Sequence, residues 1–318
     1  MKRNWPEEAL SYRESVARAF YELGGVELAR KAELDWEFRA SNVRPVLEQL
    51  GLLTLDVWGD EAESAAAVLA VKEAGAVVLP WPLVHELAVP ASVRGTVDGF
   101  YLMSGPVRRL DHADLFDRAI AFDTDNSTAH VLVSQALSSA PLDPFAVSVG
   151  MGESVALDDS DHAVAAHYLL DAFWVAGVCR TVVDLAARHA RDRHQFGVPI
   201  GNFGEIRWHL ADMVLARDGM YELALHTWSE ARRGRAGLVD LLALRLNMIE
   251  ASTTVLSHGH QILAAMGLCE EHDLAVIDRH VQSALRRPGG ALKITQQLAE
   301  SVSKEGFAGT FAVEPWSV

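Results

Sequence analysis

The sequence holds only two cysteines, Cys179 and Cys269, far apart and outside any Cys-x-x-Cys pair. That speaks against a disulfide framework and against a thiolate metal cage, and it makes a reducing cytoplasm the simplest setting. Positive charge is also scarce: Lys+Arg 28 against Asp+Glu 43 leaves a net charge of −15. A surface of that sign repels nucleic acid and anionic membranes, which both need a basic footprint. It repels phosphates over long range too, so any nucleotide site has to be a local basic feature. No apolar run reaches the ~18 residues of a membrane span. The opening Met1-Lys2-Arg3-Asn4-Trp5-Pro6-Glu7-Glu8 lacks the apolar stretch of a secretion signal. Internal repeats and low-complexity tracts are missing as well. What is abundant is apolar material. Half the residues are hydrophobic (50%) and eight are Trp, enough for a large core and, at 318 residues, for two or three domains.

The patterning divides the chain into a 1–90 N-terminal helical domain, a 91–160 middle β domain and a 161–318 C-terminal four-helix bundle. Glu7 to Arg30 and Trp36 to Leu50 read as helical, broken at Gly24-Gly25 and Gly51, and Leu79-Pro80-Trp81-Pro82 is a breaker. Phe100 to Met103, Ala119 to Phe122, His130 to Val133 and Phe145 to Val149 are strand-length apolar segments, with Asp98-Gly99 a hairpin-turn signal before them. Then Ala165, Leu169, Ala172, Ala176, Cys179, Val183, Ala186 and Ala190 follow an unbroken 4-3 spacing. They define one face of a long helix, small enough for a neighbour to approach closely. A second helix carries Ile206, Leu210, Met213, Met220 and Ala224, with Arg217 interrupting. A third carries Leu241, Leu244, Met248, Ala251, Val255, Ile262 and Ala265, with His258 as the polar member. A fourth carries Leu274, Ile277, Val281 and Ala284 behind an acidic first turn, Glu270 to Asp273. Four amphipathic helices with short connections make an antiparallel bundle. The fold class is mostly α with a small β domain.

The most informative stretch is Arg191-Asp192-Arg193-His194-Gln195-Phe196-Gly197-Val198-Pro199-Ile200. On physics alone it is a helix stop, with basic residues at the C-terminal dipole, a Gly cap and a Pro beyond. It is also an arm of Arg and Gln donors able to grip an anionic group such as a pyrophosphate. Arg193-x-Gln195-Phe196-Gly197-x-Pro199-Ile200-x-x-Phe203, then Leu210-Ala211-Asp212-Met213, resembles the signature of the acyl-CoA dehydrogenase family. Gln261-Ile262-Leu263-Ala264-Ala265-Met266-Gly267 followed by Glu271-His272-Asp273-Leu274 resembles the family's Gln-x-x-Gly-Gly-x-Gly segment and its sequel. Leu50 to Val57, Trp81 to Glu86 and Ser104-Gly105-Pro106 fall in family order too. The likeness covers nearly the whole chain, and it implies the family's architecture of N-terminal helices, a middle β domain (reduced here) and a four-helix bundle.

That resemblance implies α,β-dehydrogenation of an acyl-CoA thioester, in which a Glu takes the Cα proton while a hydride leaves Cβ for FAD. Counting along the motifs, the family's two alternative base positions fall at His167-Tyr168 and near Arg287-Pro288-Gly289, and no carboxylate stands at either. The catalytic list is therefore empty, although Asp171 or His167 could act as a migrated base. The flavin-ring pocket is depleted as well. Only Pro90 to Gly95 separates Leu87-Ala88-Val89 from Thr96-Val97-Asp98-Gly99, and Pro106-Val107-Arg108-Arg109 replaces the aromatic segment. What survives is the part that reaches a neighbouring subunit's cofactor in this family: Arg193, Gln195, Phe196, Gln261, Ala264 and Ala265. Gly204 replaces a common Gln there, and Ala264-Ala265 replace Gly-Gly, whose missing Cβ would otherwise ease backbone approach.

No metal is expected. His258-x-His260 stands at i,i+2 on a helix, with its rings apart, and Glu270 to Asp273 reads as a helix start. Arg232-Arg233-Gly234-Arg235 reads as a solvated turn. The favoured expectation is a subunit of a heterodimer or heterotetramer, with FAD held mainly by another family subunit that supplies the Glu. An acyl-CoA substrate, a bulky steroid side-chain thioester by resemblance to the short subunits of heteromeric enzymes, and an electron-accepting flavoprotein complete the set. Nucleic acid and membrane are not expected partners. Two alternatives stand beside it, a self-sufficient dehydrogenase and a helical scaffold that binds no flavin.

Overall fold

A computed structural model of the chain describes residues 5–105, 108–137 and 143–306. The N-terminal helices are α1 (Glu7–Leu23), α2 (Glu27–Leu34), α3 (Arg44–Gln49), α4 (Glu61–Ala76) and α5 (Leu83–Leu87). Both predicted breaks are where Gly demands them: Gly25 and Gly51 adopt φ of 60° and 67°, a conformation that costs other residues dearly. Arg39–Val43 forms a turn of π-helix that runs into α3. It brings the fully buried Arg39 over the Phe145 ring, 4.5 Å from its centroid.

The sheet comprises β1 (Gly99–Met103), β2 (Arg109–Asp111), β3 (Ala119–Asp123), β4 (Thr128–Leu137) and β5 (Ala146–Val155), in the order β1-β3-β4-β5-β2. Alternation splits it into two faces. Phe100, Leu102, Ile120 and Phe122 join the main core, while Tyr101, Met103, Ala119, Ala121, Val147 and Val149 form a second cluster. The Asp98-Gly99 hairpin reading is corrected here. Asp98 N–H donates to Arg118 O at 2.8 Å, and β1 runs parallel to β3, so the dipeptide enters a strand instead of turning between two. A parallel partner arrives by crossover, which local turn chemistry cannot signal.

The C-terminal helices are α6 (Ser160–Asp192), α7 (Gly204–Arg232), α8 (Leu238–Leu263), α9 (Asp273–Arg286) and α10 (Ala291–Glu305). Between α6 and α7 lies a two-residue pair of strands, β6 (His194–Gln195) and β7 (Val198–Pro199). The small-residue face of α6 does admit a close neighbour. A Cβ on Gly177 would lie 1.9 Å from Lys72 O, and one on Gly75 would lie 1.8 Å from Trp174 O, so α4 and α6 cross backbone to backbone. Leu169, Ala172, Cys179 and Ala186 are buried as the spacing predicts, but Phe173, Val175 and Val182 on the flanks of that face are buried too. α6 is the central element, packed on α4, α7 and α8 at once. The predicted acidic first turn of α9 begins later than expected, with His272 Nδ1 accepting from Leu274 N–H as the cap. Asp273 and the Glu271 carbonyl bind Arg30 of α2 instead. Arg233 and Arg235 both clamp Glu230, so the predicted solvated turn is tied down. No helix among the described residues is long and apolar enough to cross a membrane.

Candidate functional site

His167 and Asp171 stand one turn apart on α6, and both are buried. His167 Nδ1 lies 3.4 Å from Asp171 Oδ2, and its Nε2 lies 3.1 Å from His85 Nδ1 on α5. Burial, helped by His167, pushes His85 down to about 4, so that ring is neutral at pH 7. It stacks on Tyr101 with ring centroids 4.0 Å apart. Asp171 Oδ2 also lies 3.5 Å from Arg245 Nη1. Arg245 has no exposed side chain, and its Nη2 donates to Arg287 O at 2.5 Å. Burial of Arg245 works against its charge, and Asp171 is the partner that opposes this.

The seam continues into the sheet. Arg287 donates to the Asp111 carboxylate and, at 3.1 Å, to Arg109 O, while Ser283 Oγ donates to Asp111 at 3.2 Å. Burial alone would raise the Asp111 carboxyl, but Arg287 beside it, together with His85, His112 and a backbone hydrogen bond, outweighs this and holds it well below the usual range. Beyond, Arg39 pairs with Asp114 and reaches His112 at 3.0 Å. Arg279 and His280 both hold Glu33 at 2.7 Å. Burial opposes the Glu33 charge, yet those two hydrogen bonds bring its carboxyl down to about 2.

His85, Tyr101, Asp111, His167, Asp171 and Arg287 all line one cavity of about 60 Å³. Sites for a cofactor or drug-sized ligand run to roughly 300–1,000 Å³, so this one has room for little more than a few waters. Both counted base positions converge here. His167 arrives on α6 and Arg287 at the junction of α9 and α10. The carboxylates within reach are Asp111, which Arg287 holds, and Asp171, which stands between His167 and Arg245. Sequence reasoning missed His85, Tyr101, Asp111 and Arg245. The available signal was a charged residue set among buried helical positions, as Arg245 is beside Leu244 and Met248, which requires a buried partner.

The predicted cofactor residues stand elsewhere. α6 ends at Asp192, and the chain turns through Phe196 (φ 53°) and Gly197 (φ 82°) between β6 and β7. Two successive positive φ values make a tight hairpin of the primed kind. Gly197 is therefore a turn residue and not the helix cap that the motif also allows. Phe196 is 94% exposed, although a bulky residue pays strain for such a φ. Arg193 and Gln195 are exposed beside it. On α8, Gln261 is exposed, and Ala264 ends the helix at φ 51°, ψ −133°, with Ala265 following, also exposed. These two groups share one end of the bundle. The His209 ring near the start of α7 packs at a tilt against His258 near the end of α8, centroids 4.4 Å apart, and Gly259 abuts Val182 and Leu274. Burial, then His272 and Arg193, lower His189, which sets the end of α6 beside the start of α9. Among the described residues, no hydrogen bond or ion pair reaches the Arg193, Gln195 or Gln261 side chains. Exposed Trp208 and Leu215 extend this surface along α7. Pro106 and Val107, where the rewritten aromatic segment begins, lie outside the described residues. No group of three or more His, Cys, Asp or Glu side chains that could hold a metal occurs among the described residues.

Residues 170–298 match the family model for the C-terminal domain of acyl-CoA dehydrogenases. The acyl-CoA dehydrogenase IpdE2 of Mycolicibacterium smegmatis is 25% identical, the match covering 84% of this chain and 90% of the relative. A solved glutaryl-coenzyme A dehydrogenase complex superposes with a TM-score of 0.78 at 16% identity, covering 100% of both chains. The ChsE4–ChsE5 complex of Mycobacterium tuberculosis also superposes at 0.78, with 14% identity over 96% of this chain and 99% of that one. At such identities the structural likeness speaks for the fold, and the family match rests on the sequence. Over residues 170–298 the chain thus matches the C-terminal domain of the acyl-CoA dehydrogenase family, and as a whole it has the acyl-CoA dehydrogenase fold.

Proposed function

We propose that this chain is one subunit of a cytoplasmic FAD-dependent acyl-CoA dehydrogenase built from unlike family members. Its partner supplies the Glu base and the pocket for the flavin ring. This chain lends the partner's cofactor the Arg193, Gln195, Phe196, Gln261, Ala264 and Ala265 surface. The observation that carries the reading is the cavity of about 60 Å³ where both base positions meet, closed by Asp111, Arg287, His85 and Tyr101. FAD, when bound, supplies the hydride acceptor. Its ring does not fit this chain's own cavity, whereas the bundle end fits an anionic group, since the exposed Arg and Gln donors there make no hydrogen bond or ion pair among the described residues. Losing one of two pockets leaves room for a large acyl group, which favours a bulky steroid side-chain thioester as substrate. An electron-accepting flavoprotein completes the turnover.

The test is co-expression with a family member that carries the Glu, followed by purification through a tag on this chain. About one FAD per pair of unlike chains is expected, since the reading assigns one ring pocket to each pair. Changing Arg193→Ala together with Gln261→Ala should strip the flavin. A full complement of FAD on this chain alone would overturn the reading. One observation favours self-sufficiency instead: His167 and Asp171 share the cavity at 3.4 Å. Turnover by the isolated chain, abolished by Asp171→Asn, would select it.

A further inference from the structure

α5 contributes to two cavities. His85 lines the closed one described above, and the next residue, Glu86, lines a second of about 300 Å³. This second space lies among α3, α5, the segment that enters β1 and the turn before β3. It reaches the size of small-ligand sites, roughly 300–1,000 Å³. Leu55, Leu87, Val89, Val97 and Phe116 give it an apolar wall, and the buried Trp81 stands beside Glu86. Trp81 Nε1 donates to Glu86 Oε2 at 2.7 Å, and the Glu86 carboxyl makes no other hydrogen bond and no ion pair among the described residues. Arg44 and Arg94 also line the cavity, but both are committed to other carboxylates. Arg44 Nε donates to Glu48 at 2.8 Å, and Arg94 lies 3.8 Å from Asp56. Asp98 and Asp117 add negative charge to the lining, and the Asp98 carboxylate takes the Arg118 N–H at 3.2 Å.

We propose that this cavity binds a small organic cation, an ammonium carried on an apolar body about the size of one aromatic ring, with Glu86 as its anionic partner. The apolar wall receives the body, and the free oxygen of the Glu86 carboxyl receives the ammonium. The site goes beyond the two-chain reading and needs neither flavin nor partner, so failure of one leaves the other standing.

Three observations select a cation over other occupants. A carboxylate beside apolar walls with no countercharge is costly to keep ionised, and an ammonium supplies the missing charge. The second is the pair of rings, Trp81 and Phe116, whose faces attract a cation and whose area favours an apolar body. The third is the net charge of −15, which draws cations toward the chain and repels carboxylates and phosphates. The titration of Glu86 agrees with this geometry. Burial raises it to about 7, against the Trp81 hydrogen bond and Arg44, with Asp98 and Glu48 adding. In the empty cavity a proton thus holds the place of the ligand's charge over roughly half the molecules at pH 7.

The experiment titrates the full chain with 2-phenylethylamine, 2-phenylethanol and 3-phenylpropionate in a calorimeter, one shape in three charge states. At about pH 8 the amine should bind roughly tenfold tighter than the alcohol or better, and the acid more weakly than either. Pairing requires Glu86 to be ionised, so the amine's affinity should climb roughly tenfold between about pH 5 and about pH 8 and level off above 7. Glu86→Gln keeps an acceptor for Trp81 and removes the charge. It should erase both the preference for the amine and the pH dependence, with thermal unfolding unchanged to show that the fold is intact. Equal binding of amine and alcohol by the parent chain overturns the proposal, as does an amine preference that survives Glu86→Gln. Amine affinity weaker than about 10 mM in the parent chain overturns it as well.

Discussion

Arg245 and Arg193 carry the same guanidinium into opposite settings. Arg245 is sealed in the seam between the bundle and the sheet, beside Asp171, its Nη2 donating to Arg287 O. Arg193 projects from the end of the bundle, its side chain without a hydrogen bond or ion pair among the described residues. A buried charge without a partner is strongly destabilising, whereas an exposed one costs nothing to leave free. The seam is thus tied by buried charges, whereas the Arg193, Gln195 and Gln261 side chains at the bundle end make no hydrogen bond or ion pair among the described residues. Where the resemblance puts the chemistry, the structure has a buried network of charges; at the bundle end it has exposed donors.

The contrast can be broken most forcefully at Asp171. Asp171→Ala leaves Arg245 uncompensated and should cost about 3–5 kcal/mol in urea unfolding, so a loss below 1 kcal/mol would mean that water reaches the seam. Glu33, further along it, gives an acid signature. Its carboxyl is down at about 2 in the folded chain against an ordinary 4.5. The stability it contributes is therefore present above about pH 4.5 and is lost as pH falls through about 2. That amounts to something on the order of 2–3 kcal/mol, and Glu33→Gln should flatten the slope of unfolding free energy in that window. At the other pole, Ala264 keeps a backbone conformation suited to glycine, so Ala264→Gly should stabilise the isolated chain by about 1 kcal/mol in thermal unfolding. The smallest effect sharpens the comparison most. Arg193→Ala and Gln261→Ala should each leave the chain's own stability within about 0.5 kcal/mol, and a larger loss would show that the bundle end is held together internally after all.

Much of the fold was legible because long helices write their period into the sequence. Leu169, Ala172, Met213, Met248 and Ile277 lie in the core that their spacing defines. α10 left no such mark, for it buries only Ile294 and its exposed Leu292 breaks the stripe. The motif around Arg193 located the arm but read equally as a helix stop, since Gly197 suits a cap and a hairpin alike. Counting residues put the two expected base positions at His167-Tyr168 and near Arg287, with no carboxylate at either. It could not find that they meet, nor that Asp111 from the sheet locks Arg287. Those contacts join α5, α6, α8, β2 and the α9–α10 junction, and no local pattern encodes a meeting of five separate segments.

The crossing at Gly75 and Gly177 has a kinetic consequence. With the Lys72 and Trp174 carbonyls filling the space where side chains would stand, α4 cannot slide along or rock against α6. On the two-chain reading proposed above, the platform that a partner meets is then already in its final shape. Assembly from such a surface proceeds by collision and docking without a folding step, and rigid interfaces of this sort change little on binding. A stopped-flow trace of association should show one phase whose rate rises linearly with partner concentration and does not level off.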